Sequence, residues 1–258
     1  MTENNSNYEL LRFASLTSTN DFLKQPLPEG VDLSLPVFVL ADEQTKGRGR
    51  LGRNWQSKPG GVYLSLLWPE ILDAQTAVSL PLLTALAVRA AIQPLTEQKI
   101  VIKWPNDLLV EAADDRRKLV GILVELHDNR AIIGIGVNVL PFAVDSTGDD
   151  NGGLPIAWLA PSATNSDLLE QVVGAIIPSL IGYLQAWQNQ GMIFAPFAQE
   201  YRNHMILLGE YVEIRNADRQ LLVAGRLSGI DDYGLLIVES TQGTQLVSSG
   251  EVTFRRNT

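Results

Sequence analysis

Three observations predict an α+β protein of two unequal parts. Apolar runs of strand length recur at Pro36–Ala41, Val62–Trp68, Leu119–Leu126 and Ala131–Leu140. Between and after them, apolar residues fall at helical spacing, as in Val78, Leu82, Leu83, Leu86 and Ala90. From Leu208 the pattern changes to short alternating segments with tight turns, which fits a small β-barrel. The chain therefore divides into residues 1–207, a large domain of strands and helices, and residues 208–258, a small all-β domain.

The elements follow in order. Met1 to Tyr8 is polar, offers nothing to bury and reads as a frayed terminus. From Phe13 to Lys24 a short strand passes into a helix whose start at Ser18 and Thr19 suits an N-cap. Gln25 to Leu35 is a loop with Pro and Gly, and Pro36 to Ala41 a buried strand. Ala74 to Ile92 is a core helix that Pro81 bends or delays. Lys99 to Trp104 alternates as a strand, breaks at Pro105, and Leu108 to Glu111 begins another. Asp114 to Arg117 is a charged hairpin tip, expected in solvent. In the strand Ala131 to Leu140, Gly134 and Gly136 let a ligand approach the backbone. After the Gly- and Asp-rich loop Asp145 to Gly153 come a helix from Ser166 to Trp187, interrupted near Pro178, and another from Met192 to His204. EYVEIR, LLVAGRLSGI, GLLIVES, TQLVSS and EVTFR then supply about five strands in the last fifty residues.

Composition narrows the function. A chain of 258 residues can bury a substantial core, and 45% apolar with 19% charged residues argues against disorder. With no cysteine, disulfides, thiolate metal sites and Cys nucleophiles are excluded, which makes an intracellular, cytoplasmic location the default expectation. No basic-then-apolar leader stands at the N-terminus, and no run approaches the ~20 apolar residues of a membrane span. The net charge of −9 repels polyanions at long range and weakens a general role on nucleic acid or anionic membranes. Against that background one basic loop points to a small anionic ligand.

That loop is GRGRLGRNW, from Gly47 to Trp55. Gly47, Gly49 and Gly52 spell G-x-G-x-x-G, but Asn54, Lys58, Pro59, Gly60 and Gly61 cannot continue a helix, so no dinucleotide fingerprint follows. Glycines interleaved with Arg48, Arg50 and Arg53 can bring backbone N–H groups and guanidinium forks to phosphate or carboxylate oxygens. The same composition also describes a solvated linker or an RNA-binding Gly-Arg segment. With no anion among them the three arginines should repel one another, so the loop is expected to be mobile until a ligand closes it. Trp55 suits either the core or a ligand cover. KWPND, from Lys103 to Asp107, reads alone as a tight turn, and Ser18-Thr19-Asn20 alone as a helix cap. No P-loop, H-E-x-x-H or G-x-S-x-G occurs, and His127 and His204 are the only histidines.

GRGRLGRNW, KWPNDL from Lys103, KLVGILVE from Lys118 and GIGVNV from Gly134, in this order and spacing, resemble the catalytic domain of a biotin protein ligase. The resemblance runs from about Ser15 to the C-terminus, and its start implies a short form without the N-terminal winged-helix DNA-binding domain that some relatives carry. It implies a mixed β-sheet with flanking helices, like that of class II aminoacyl-tRNA synthetases, plus an SH3-like C-terminal barrel. It implies ATP, with Mg²⁺, and biotin as substrates, and a biotin carboxyl carrier protein, a subunit or domain of acetyl-CoA carboxylase, as partner. No specific DNA binding and no membrane are expected, and a homodimer through sheet edges is allowed. By the same resemblance Ser18, Thr19, Asn20, Gln44, Arg48, Gly49, Arg50 and Lys118 bind biotin. Arg48, Arg50, Trp55, Lys103, Asn106 and Asn138 bind ATP or the adenylate, with Asn138 directed to the adenine or ribose. Lys118, Arg50 and Asp107 are the catalytic set, and Asp107 is also the candidate ligand for Mg²⁺ on the ATP phosphates, since Mg²⁺ favours a few carboxylates plus phosphate oxygens. Two rivals remain: a lipoate ligase or octanoyltransferase, and a non-catalytic biotin or nucleotide sensor.

Overall fold

The computed structural model describes residues 2–5, 7–112, 115–144, 154–162 and 167–254. Strands β1 (Thr2–Asn5), β2 (Tyr8–Leu16), β3 (Val37–Gln44), β4 (Gly61–Ile71), β5 (Ile100–Lys103), β6 (Asp107–Ala112), β7 (Asp115–His127) and β8 (Arg130–Asn138) form one sheet. Its order is β1-β2-β3-β4-β8-β7-β6-β5. Only β2 and β3 run parallel, so the sheet is mixed, as expected. The N-terminal expectation is corrected. Thr2–Asn5 is an edge strand paired antiparallel to β2, because ladder hydrogen bonds need backbone donors and acceptors rather than apolar side chains.

Alternation along the central strands separates two layers. On β8, Ile133, Ile135 and Val137 enter the main core, whereas Ile132 joins a smaller cluster with Leu11, Leu23, Val37, Val39 and Leu67. Helices α3 (Leu80–Ile92), α4 (Asp167–Asn189) and α5 (Ala195–His204) contribute to the main core, and α1 (Thr19–Leu23) sits over the smaller cluster. Pro81 delays the helix: the short α2 (Ala74–Ala77) ends, and α3 starts with Pro in its first turn, where its missing N–H has no intrahelical partner to lose. Pro178, expected to interrupt, lies inside an unbroken α4. The buried face made by Val173, Ile176, Ile177, Leu180 and Leu184 holds both halves to the core and offsets the lost hydrogen bond. By length and composition, segments Ala74–Leu95 and Asp167–Asn189 would pass as membrane spans, contrary to the sequence expectation. Here both bury much of their surface in the protein.

The C-terminal strands β9 (Tyr211–Arg215), β10 (Leu221–Ile230), β11 (Leu236–Ser240), β12 (Gly243–Val247) and β13 (Glu251–Phe254) form an antiparallel sheet in the order β12-β11-β10-β9-β13. Five strands appear as expected, with no ladder joining β12 to β13 among the described residues. This sheet is fastened to the larger part. Trp104 Nε1 donates to Gly234 O at 3.0 Å and Arg202 to Ile230 O at 3.0 Å. Arg116, placed in a solvated tip by the sequence, instead pairs with Glu210 at 2.8 Å, because the hairpin reaches the C-terminal unit. Asp114 and the loop 145–153 lie outside the described residues.

Candidate active site

Register places three side chains, or their absence, in each row on one face of the sheet. Tyr63, Gly136 and Gly121 are cross-strand neighbours, then Ser65, Gly134 and Leu123, then Leu67, Ile132 and Glu125. The glycines leave a floor of bare backbone that neighbours use at close range. A Cβ on Gly136 would fall 2.3 Å from Trp55 Nε1, one on Gly121 2.8 Å from the same indole, and one on Gly134 2.4 Å from Asn20 Oδ1. Beside this floor opens a cavity of about 80 Å³. Of the sequence-derived site residues, Ser18, Thr19, Asn20, Gln44, Arg48, Gly49, Arg50, Trp55, Lys103, Asn106, Asp107 and Lys118 line it.

One end of the cavity is lined by the neutral side chains of Ser18, Thr19, Asn20 and Gln44, with Arg48 beside them matched by carboxylates. Ser18 caps α1, accepting from Asp21 N at 3.3 Å, which leaves its hydroxyl proton to donate elsewhere. The cap reading and the ligand reading thus coexist on one side chain. Asn20 is held at both ends: Ser65 Oγ donates to its Oδ1 at 2.6 Å, and its Nδ2 donates to Glu125 Oε2 at 2.9 Å. Gln44 Oε1 accepts from Thr19 N at 2.8 Å, while its Nε2 donates to Ser57 Oγ at 2.9 Å. Each amide therefore has one orientation, so the wall presents a fixed pattern of donors and acceptors.

The basic loop leaves β3 and folds over this wall, with bridges Gln44 to Ser57 and Arg48 to Asn54. Its turn holds Leu51 at φ 57° and Gly52 at φ 72°, and a left-handed Leu costs roughly 1 kcal/mol. The expected repulsion survives between Arg53 and Arg50, whose pKa it lowers, but carboxylates meet the charges of Arg48 and Arg53 directly. Arg48 pairs with Asp21 at 2.5 Å and Glu125 at 3.1 Å, and Arg53 pairs with Glu251. Protein carboxylates supply the anions. Burial alone would lower the Arg48 pKa, but Glu125 and Asp21 outweigh it and the net shift is upward. Arg50 differs. Among the described residues its only hydrogen-bonded partner is the neutral Asn106 Oδ1 at 3.0 Å, and burial lowers its pKa against the pull of Asp107 and Glu251. Trp55 lies flat on the glycine floor, 7% exposed, its indole N–H without a partner among the described residues.

At the other end of the cavity cations gather. The Lys118 ammonium stands 2.9 Å from Asp107 Oδ1 and 5.4 Å from the Trp55 ring centre. That contact is an ion pair without hydrogen-bond geometry, so Asp107 Oδ1 keeps unspent acceptor capacity. Burial lowers the Lys103 pKa, with Asp107 opposing and Lys118 reinforcing the shift. Asn106 anchors the turn by donating to Ile122 O at 2.8 Å and accepting from Arg50. Asn138 does not line the cavity. It is 3% exposed, and its amide donates to Lys118 O at 3.3 Å, which places it beneath the lysine's backbone. No three His, Asp or Glu side chains gather as a metal set among the described residues. One carboxylate with spare acceptor capacity does fit an Mg²⁺ that arrives on a nucleotide's phosphates.

The lining thus combines five basic residues, Arg48, Arg50, Arg53, Lys103 and Lys118, with two acidic ones, Asp107 and Glu251. Glu251, Val252 and Thr253 come from β13 and Gly250 immediately precedes it, so the C-terminal unit completes the site. Sequence reasoning missed Asp21, Ser57, Ser65, Gly121, Glu125 and Glu251. Period-two alternation on β4 would have found Ser65, which shares a face with Tyr63. Nothing local marks Glu251, 198 positions from the arginine it holds.

Residues 12–139 match the biotin/lipoate A/B protein ligase family, and residues 207–255 match the biotin protein ligase C-terminal domain, together more than two thirds of the chain. The chain belongs to the biotin protein ligase family. It is 29% identical to the biotin–[acetyl-CoA-carboxylase] ligase of Paracoccus denitrificans, across 93% of this chain and 99% of that one. Identity to the ligase of the same name from Mycobacterium tuberculosis is 29%, across 94% and 88%. It is 30% identical to the bifunctional ligase/repressor BirA of Bacillus subtilis, where the match covers 87% of this chain but only 66% of the relative. The biotin protein ligase of Aquifex aeolicus, solved in complex with biotin and ATP, superposes with a TM-score of 0.78 at 28% identity, covering 96% of this chain and 99% of that one. In this member of the family both matched regions contribute to one cavity, β13 standing beside Lys103 and Arg50.

Proposed function

We propose that the protein is a biotin–[biotin carboxyl carrier protein] ligase acting in two steps. A biotin carboxylate oxygen attacks the α-phosphorus of MgATP, forming biotinyl-5′-AMP as pyrophosphate leaves. The ε-amine of a carrier-protein lysine then attacks the acyl carbon, and AMP leaves. The observation that carries the reading is the division of one cavity into a neutral hydrogen-bonding end and a cationic end. A ligand that fits both is a neutral cyclic urea joined to an anion. Ser18, Thr19, Asn20 and Gln44 supply donors and acceptors to the ureido ring, the glycine floor seats Trp55 and Asn20 beside it, and backbone at Gly49 faces it. Arg50, Lys103 and Lys118, whose charges the free protein compensates only in part, balance the carboxylate and α-phosphate as charge builds. Asp107 meets the Mg²⁺ carried by ATP. The Trp55 indole, buried with an unpaired N–H, covers the ligand.

The match of residues 207–255 to the biotin protein ligase C-terminal domain favours biotin over lipoate. We read residues 208–258 as an SH3-like barrel in which β13 serves the adenylation cavity. The partner is the carrier domain of acetyl-CoA carboxylase, as the names of the relatives suggest. The protein works in the cytoplasm, on a soluble substrate, without specific DNA binding. A second copy would pair through β1, since Met205 and Ile206 bind the outer side of β5. Pyrophosphate release from protein, MgATP and biotin tests the reading, with lipoate in place of biotin as control. Release with lipoate and none with biotin would refute it.

A further inference from the structure

Three elements converge on one carboxylate that no sequence motif singled out. Glu125, near the end of β7, accepts from Asn20 and Lys24 of the α1 region at 2.9 Å each, and from Arg48 of the basic loop at 3.1–3.3 Å. Its side chain is 23% exposed. We propose that Glu125 is a positioning residue: it fixes the orientation of the Asn20 amide and tethers the loop to the sheet through Arg48.

The first part follows from the two ends of Asn20. Ser65 donates to Oδ1, so acceptors at Nδ2 keep the amide from turning over, and Glu125 at 2.9 Å is the nearer of the two, Leu123 O lying at 3.4 Å. Turning the amide would exchange a donor for an acceptor in the wall that faces the ligand's neutral end. The second part follows from charge. Arg48 and Lys24 are matched by Asp21 and Glu125, two cations against two carboxylates, so Arg48 has no charge to spare for a phosphate. It therefore serves as a hinge pin, and Arg50 is left as the anion-binding arginine of the loop. The inference deepens the biotin-ligase reading at the neutral end of the same cavity, while its loop-tethering part stands without that reading.

The test is Glu125→Gln, which keeps shape but offers one acceptor where the carboxylate offers two, and turns an N–H₂ toward Asn20 or the cations. Trypsin cleavage after Arg48, Arg50 and Arg53 in the ligand-free protein should rise about tenfold, the worth of one charge-assisted hydrogen bond. The KM for biotin should also rise about tenfold while the KM for ATP and kcat stay near wild type. Glu125→Asp, which keeps the charge on a shorter arm, should restore part of both effects. Unchanged cleavage together with unchanged biotin KM overturns the assignment. An equal rise in both KM values with a lowered Tm in both variants overturns it too, since that marks a merely structural residue. If wild-type protein binds no biotin, the ligase reading fails, and the cleavage rates still decide the tether.

Discussion

Replacing Lys118 by alanine removes the cation nearest Asp107 and Trp55 without opening the core, because its side chain, 12% exposed, ends in the cavity. Two costs can be separated. Breaking a buried pair can cost 3–5 kcal/mol, but Asp107 keeps Arg50 and Lys103 within electrostatic reach, so a loss of about 1–2 kcal/mol in stability is expected. At this chain length that lowers Tm by roughly 2–8 °C. The rate cost is larger. Two unit charges 4 Å apart interact by about 4 kcal/mol at an effective dielectric of about 20, which a preorganised ammonium contributes to the charge forming on the α-phosphate. Adenylation should fall about 10²–10³-fold, read as biotin-dependent pyrophosphate release under single turnover, with a folded Lys118→Ala protein by circular dichroism. Release within about threefold of wild type, less than 1 kcal/mol, would refute the role of Lys118.

Gly136→Ala should drive Trp55 from the floor, since the new Cβ would lie 2.3 Å from its indole nitrogen; biotin binding by calorimetry should weaken at least ~10-fold, and unchanged affinity would show that the ligand does not depend on where Trp55 is seated. The stabilising effect of Glu125 should depend on pH. Burial would raise its pKa, but hydrogen bonds from Asn20 and Lys24 and the charge of Arg48 lower it overall, so the folded value lies below the unfolded one. The stability it contributes is therefore present above the unfolded pKa and lost as pH falls through the folded one: the Tm gap between wild type and Glu125→Gln should be full at neutral pH and shrink below about pH 4.3. A gap constant to lower pH would contradict that sign. With a net charge of −9, the protein should give no salt-resistant, sequence-dependent gel shift on duplex DNA, with or without biotinyl-5′-AMP, and such a shift would overturn the expectation.

How much of this was legible depended on the range of the signal. Strands β3, β4, β7 and β8 announced themselves as apolar runs, and Pro81 marked a helix start, because those signals are local. β1 did not, since an edge strand is held by ladder bonds that any polar residue can make. Pro178 misled because the burial of α4 outweighs one lost hydrogen bond. In the site, the residue types of GRGRLGRNW foretold cations, and the structure gathers them around a cavity. What they could not foretell was which arginine would be free: Asp21, Glu125 and Glu251 lie 27, 77 and 198 positions from the arginines they hold.

That pairing changes how the loop's charge should be understood. Three arginines in six residues suggest three anion contacts, yet a guanidinium already matched by a carboxylate gains little from a phosphate, because the new pair forms at the expense of the old one. Arg48 is matched twice and Arg53 once, whereas Arg50 rests on a neutral amide and is disfavoured by its burial. An anion reaching Arg50 and the half-buried Lys103 relieves a cost that the free protein carries, so its binding draws on charge set up in advance. The acidic surface and the basic cavity then have complementary effects. A net charge of −9 discourages long polyanions from the protein as a whole, and a partly compensated cluster sheltered under Trp55 accepts a short anion that can enter.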